Sequence, residues 1–100
     1  MIIIVGSLTF DPSDREDVIS SLQEVTSLSR RDEGCREYSW SEDLDSPNTF
    51  RFFECWDSQE SLDKHLGAPH EKAFGERNLS RITGATAQIY SASEITEADD

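Results

Sequence analysis

An α+β domain with the element order βαββαβ and a four-stranded antiparallel sheet is what this sequence predicts. Three observations point there. Runs of β-branched and aromatic residues are interrupted by two regions of helical periodicity, a short turn joins the middle pair of strands, and the two richest strands are apolar on both faces. A chain of 100 residues has room for one core. Hydrophobic residues make up 35% and mean hydropathy is −0.61, so that core has little apolar surplus. Residues 1–93 read as the single domain and 94–100 as an acidic, frayed tail.

Residues 2–10 form the first strand. Ile2, Ile4, Gly6, Leu8 and Phe10 share one face; Ile3, Val5, Ser7 and Thr9 share the other. Asp11-Pro12 ends it, because proline cannot continue a central ladder. Ser13 and Glu16 have capping-box spacing, and Val18, Ile19, Leu22, Val25 and Leu28 then recur at three- and four-residue steps along one helical face. Arg30 and Arg31 suit the negative end of that helix, and Gly34 supplies its left-handed stop.

Cys35 to Asp43 alternates again, with Tyr38 and Trp40 on one face. Asp45-Ser46-Pro47-Asn48 is a turn by composition. The run from Thr49 to Trp56 follows, with Phe50, Phe52, Glu54 and Trp56 on one face and Arg51, Phe53 and Cys55 on the other; the two strands form an antiparallel hairpin. Ser58 caps a second helix whose inner side carries Leu62, His65 and Leu66. Gly67-Ala68-Pro69 breaks it, and Pro69 starts a third helix in which Ala73 and Phe74 look inward, with Leu79 and Ile82 continuing the apolar side. Ala85 to Ala92 is the last strand.

This is the split βαβ, ferredoxin-like order. Helices can cover one face of such a sheet, yet Val5 and Phe53 lie opposite Ile4 and Phe52. An apolar face of that size needs a cover, so a homodimer joined through the sheet faces, a dimeric α+β barrel, is expected.

Charge narrows the partners. Nine cations against 21 acids leave a net charge of −12 and a pI near 4.4, which repels phosphate backbones and anionic membranes, so neither nucleic acid nor membrane is expected as a partner. No apolar run is long enough to span a bilayer, and the opening Met1-Ile-Ile-Ile-Val5 lacks a basic leader, so it reads as a strand of a cytoplasmic protein. Cys35 and Cys55 are offset in the hairpin register and lack a CxxC or CxxH partner; they read as buried, reduced thiols.

The stretch Phe50-Arg-Phe-Phe-Glu54-Cys-Trp56-Asp-Ser58-Gln-Glu60-Ser-Leu62-Asp-Lys-His65-Leu66, followed by His70 and Phe74, resembles the antibiotic biosynthesis monooxygenase, or quinol monooxygenase, domain family. The opening Ile-Val-Gly-Ser-Leu-Thr-Phe, Gly34-Cys35 and the Glu42–Asn48 turn match as well, so the resemblance covers nearly the whole chain. It implies this fold, a homodimer, and chemistry that ranges across quinol and anthrone oxygenases, haem-degrading enzymes and an isomerase. The haem-degrading pattern fails here: the first strand reads Gly6-Ser7, the second helix offers His65, and the ligand position falls near Gly75. The oxygenases implied need no metal or flavin. Their aromatic substrate loses a proton, and the anion passes an electron to O2 while the protein excludes water.

Under that resemblance His65 and His70 are the catalytic candidates, since imidazoles exchange protons near neutral pH; capping or packing is their plainer role. Their spacing does not stack them on one helix face, so it does not read as a zinc site. Tyr38, Trp40, Phe52, Glu54, Trp56 and Phe74 are candidate substrate contacts, and Arg36 or Arg51 could hold an anion. Trp56 reads first as a core anchor under the second helix and Glu54 first as the partner of an arginine across the hairpin, and Tyr38 and Trp40 belong to the pocket or to the dimer seam. The pocket is expected between the sheet and the second and third helices. Two further function classes stay open: a non-catalytic dimeric binding or stress-associated protein, and an isomerase.

Overall fold

The computed structural model describes residues 1–96; residues 97–100, in the expected acidic tail, lie outside the described residues. Four strands make one antiparallel sheet in the order β2-β3-β1-β4, with β1 (Ile2–Phe10), β2 (Cys35–Glu42), β3 (Thr49–Trp56) and β4 (Ile82–Ser91). Three helices, α1 (Arg15–Ser29), α2 (Gln59–Leu66) and α3 (Pro69–Asn78), fill the two crossovers. This is the ferredoxin-like arrangement. No helix of the described residues is long and apolar enough to cross a membrane.

Period-two alternation decides which side chains the helices cover. Ile4, Tyr38 and Trp56 pack with Val25 of α1 and Leu62 of α2, while Phe10 and Phe50 pack with Val18 and Leu22. On the opposite face, cross-strand pairing brings Val5 beside Phe53, Ile3 beside Cys55 and Tyr90, and Ser7 beside Thr86. Val5 and Phe53 remain partly exposed and Tyr90 is 48% exposed.

Local chemistry explains the boundaries. Gly34 has φ +81°, and a Cβ there would lie 2.1 Å from Ser61 Oγ, so the stop after α1 needs glycine both for its dihedral and for space. Its carbonyl accepts from Asp57 N at 2.8 Å, which ties the α1–β2 loop to the start of α2. Ser58 caps α2 by accepting from Ser61 N at 3.2 Å. Glu42 accepts from Arg15 and from Asn48 N, pinning the hairpin turn to the first turn of α1 and holding the Glu42 carboxyl down at about 2.

Several expectations need correction. The capping box at Ser13 does not form: Asp11 accepts from Ser13 N at 2.9 Å and caps a short 3-10 turn, and α1 starts only at Arg15. The wall of α1 is set by Ser21 and Ser29 as well as Val18, Leu22 and Val25, because small side chains let the helix lie close to its neighbours; Ile19 and Leu28 are only partly buried. Ala73 and Leu79 face solvent, Leu66 is 51% exposed, and β4 begins at Ile82 and not at Ala85. A bulge between Cys35 and Glu37 turns Arg36 out toward Asp57. Cys35 and Cys55 are free and not paired across the hairpin, but Cys35 is only partly buried.

Candidate active site

The site is built where β2 and β3 pass under α3. Tyr38 and Trp40 lie two apart on β2, and Phe52 and Glu54 face them directly from β3. Leu8 of β1 and Glu71 and Phe74 of α3 complete the wall of a cavity of about 140 Å3. The Phe52 ring lies across β1 at Gly6, where a Cβ would stand 2.6 Å from its Cζ; the missing side chain makes room for the aromatic wall. Trp40 packs against Phe52 with ring centroids 4.9 Å apart and against Phe74 at 6.0 Å.

A larger groove of about 610 Å3 runs between α1 and β2, with Trp40 between the two spaces. Two of its charged groups are already engaged: Arg30 Nε donates to the Tyr38 carbonyl and Glu42 is held by Arg15. The smaller cavity has the chemistry.

Behind its carboxylates sits His65, 1% exposed. Leu62 and His65 are three apart on α2 and both face inward, so the imidazole lies against Trp56 with centroids 4.5 Å apart and 30° between planes. Its Nδ1 is 2.8 Å from Asp32 Oδ2, in the loop after α1, and the same oxygen is 2.7 Å from His70 Nε2. His65 Nε2 lies 3.2 Å from Glu71 Oε2 and 3.7 Å from Glu54 Oε1, outside the geometry of a hydrogen bond to either. Glu54 in turn accepts from Trp56 Nε1 at 3.1 Å. The five-residue step from His65 to His70 crosses the helix break, and that break lets two histidines reach one carboxylate from different helices.

Burial sets the protonation. Desolvation pushes the Glu54 carboxyl above its usual range, against the Trp56 hydrogen bond and the nearby His65. Desolvation pushes His65 down, but Glu71, Asp32 and Glu54 outweigh it and the net shift is upward. Burial raises the Tyr38 phenol, so it stays protonated; its oxygen accepts from Trp40 Nε1 at 3.1 Å.

Of the residues singled out in the sequence, Tyr38, Trp40, Phe52, Glu54 and Phe74 are brought together on the cavity wall. His65 and His70 stand behind it. Trp56 is fully buried under α2 and does not line the cavity. Glu54 pairs with no arginine, because its cross-strand neighbours are Ile4 and Tyr38. Arg51 points to the open sheet face and is bonded to Asp43, and Arg36 to Asp57, so neither reaches the cavity. Asp32 and Glu71 were not legible as site residues. Glu71 carries only the signal of an acid in the first turn of a helix, and Asp32 carries none.

A small ferredoxin-like domain with an aromatic cavity backed by a buried histidine and carboxylates is the class these observations define. The antibiotic biosynthesis monooxygenase family matches residues 1–77, and the chain belongs to that family. It is 32% identical over 94 residues to the uncharacterized protein sll1783 of Synechocystis, a match that covers 93% of this chain and 64% of that protein, so the chain spans less than two thirds of that relative. It is 28% identical over 74 residues to YcnE of Bacillus subtilis, named provisionally as a monooxygenase, covering 74% of this chain and 78% of that one. A Deinococcus radiodurans structure, provisionally named for the same family, superposes with a TM-score of 0.88 at 26% identity over 97% of each chain.

The sign of the His65 shift predicts a stability profile. A raised folded-state pKa contributes stability fully present below the unfolded value of about 6.5 and lost as pH rises through the folded value. Urea unfolding should therefore show stability falling as pH rises from about 6.5, and His65→Gln should flatten that slope. A slope unchanged in the variant would contradict the assignment.

Proposed function

We propose that this chain is a cofactor-independent monooxygenase that oxidises a small electron-rich aromatic, a quinol or anthrone, with O2. The observation that supports this most is the joining of an aromatic-walled cavity to two carboxylates and a buried imidazole that together can take up a proton. Family membership and the provisional names of the relatives support the oxygenase class.

For an anthrone the chemistry balances without help: the ring methylene and one O2 become a ring carbonyl and one water. Glu71 or Glu54, backed by His65, takes the first proton from the activated methylene. The carbanion passes one electron to O2, and the resulting radical pair joins as a C–O bond to give a peroxide anion on that carbon. The peroxide takes a proton back. It then loses the remaining C–H proton while the O–O bond breaks, so that hydroxide and proton leave as water and the carbonyl forms. No electron enters from outside. The apolar wall formed by Leu8, Trp40, Phe52 and Phe74 keeps water from the anion. Ligand cavities ordinarily enclose about 300–1,000 Å3. At about 140 Å3 this one admits a fused-ring substrate only if its wall opens.

The open sheet face supports a homodimer, since Ile3, Val5, Phe53 and Tyr90 gather there with no helix packed over them among the described residues. In sedimentation experiments the wild type should run at twice the chain mass and Phe53→Asp as a monomer. A monomeric wild type would count against this assembly.

Oxygen uptake with menadiol and with anthrone, measured above autoxidation, tests the reaction. Glu71→Gln and His65→Gln should each lower turnover by about 10²–10⁴-fold, the range of positioned acid–base groups. A wild type with no rate above background on either substrate would remove the oxygenase reading and leave a binding protein of the same fold.

A further inference from the structure

We propose that Asp32 and His70 give the cavity a proton outlet: Asp32 takes a proton from His65 Nδ1 and passes it to water, while His70 is a positioning residue that holds Asp32 for the transfer. The inference rests on the proton uptake proposed for the cavity and deepens it.

Donor and acceptor roles lead to it. A carboxylate oxygen only accepts, and Asp32 Oδ2 is 2.8 Å from His65 Nδ1 and 2.7 Å from His70 Nε2. Both nitrogens therefore carry hydrogen, which sets the tautomers of the two rings. What is left on His65 is Nε2, fully buried and facing Glu71 Oε2 at 3.2 Å and Glu54 Oε1 at 3.7 Å. A bare nitrogen lone pair converging with two ionised carboxylates would be repulsive, so one of these three groups carries a proton.

On the side of His65 away from the cavity the way out runs through Asp32, while Glu71, with a side chain 28% exposed, meets solvent on the cavity side. β3 presents Glu54 and Trp56, and β2 presents Tyr38, whose raised phenol does not ionise near neutral pH. α3 presents Glu71 and His70, and the α1–β2 loop presents Asp32. Lys64, next in sequence, turns away to Glu33 and Glu60. Glu54 and Glu71 face the cavity; Asp32 does not, and its side chain is 21% exposed against 1% for His65. A proton gained at Nε2 from the cavity side thus allows the Nδ1 proton to pass to Asp32 Oδ2 and on to water. The same steps run backwards when the peroxide must be protonated. His70 Nε2–H keeps the receiving oxygen oriented between transfers.

The experiment reads the His65 ring directly by imidazole 15N–1H NMR. The wild type should show His65 protonated at Nδ1 and His70 at Nε2, and solvent exchange of the His65 ring hydrogens should be fast for so buried a group. Asp32→Asn keeps the shape but cannot relay a proton, so exchange should slow by about a hundredfold, the low end of what a positioned proton carrier contributes. Asp32→Glu should restore it. A merely structural Asp32 would loosen the loop when replaced and make exchange faster. Exchange that is unchanged or faster in Asp32→Asn, or a His65 bare at Nδ1, would overturn the outlet. Because this readout needs no substrate, absent oxygen uptake would defeat the oxygenase reading alone.

Discussion

The burial of one imidazole organises the site half of this molecule. His65 is wedged against Trp56 and tied to Asp32, so a single side chain joins β3, α2, the α1–β2 loop and, through His70 and Glu71, α3. Burying a group that titrates near neutral pH is costly unless partners satisfy it, and the partners here are acids. Three carboxylates surround the buried ring, and two of them, Asp32 and Glu71, also reach solvent. The same arrangement orients the cavity: Glu54 and Glu71 stand on its wall with the His65 ring behind them.

The surface uses its cations in the opposite way. Arg15 is bound to Glu42, Arg36 to Asp57, Arg51 to Asp43, and Arg77 and Arg81 both to Asp17. These pairs lie at the surface, exposed or partly exposed, where an ion pair contributes little to stability. Their effect on the site is to keep guanidinium groups away from it.

Much of the fold was legible because its signals are local. Strand alternation separated Phe50, Phe52, Glu54 and Trp56 from Arg51 and Phe53, but which of these faces Tyr38 shares became visible only in the hairpin register. Helical spacing found Val18, Leu22 and Val25, and glycine found the stop at Gly34. Local signals failed where two competed. Asp11 took the amide that Ser13 was expected to use elsewhere, and the bulge at Arg36 broke the parity of β2. Leu79 looked like core by type, but the short 3-10 turn after α3 directs it to solvent. The aromatic wall was readable from the hairpin; the cluster behind it was not. Asp32 meets His65 across 33 positions and His70 across 38, and no spacing encodes a contact set by three separate elements.

The central claim is that a proton resides on a buried histidine or on the acids of the cavity wall. Neutron diffraction from a deuterated crystal near neutral pH would test it most directly. Deuterium on His65 Nδ1 and His70 Nε2, with one more on His65 Nε2, Glu71 or Glu54, is the result the account predicts. Nuclear density showing His65 Nε2 bare beside two fully ionised glutamates would contradict it.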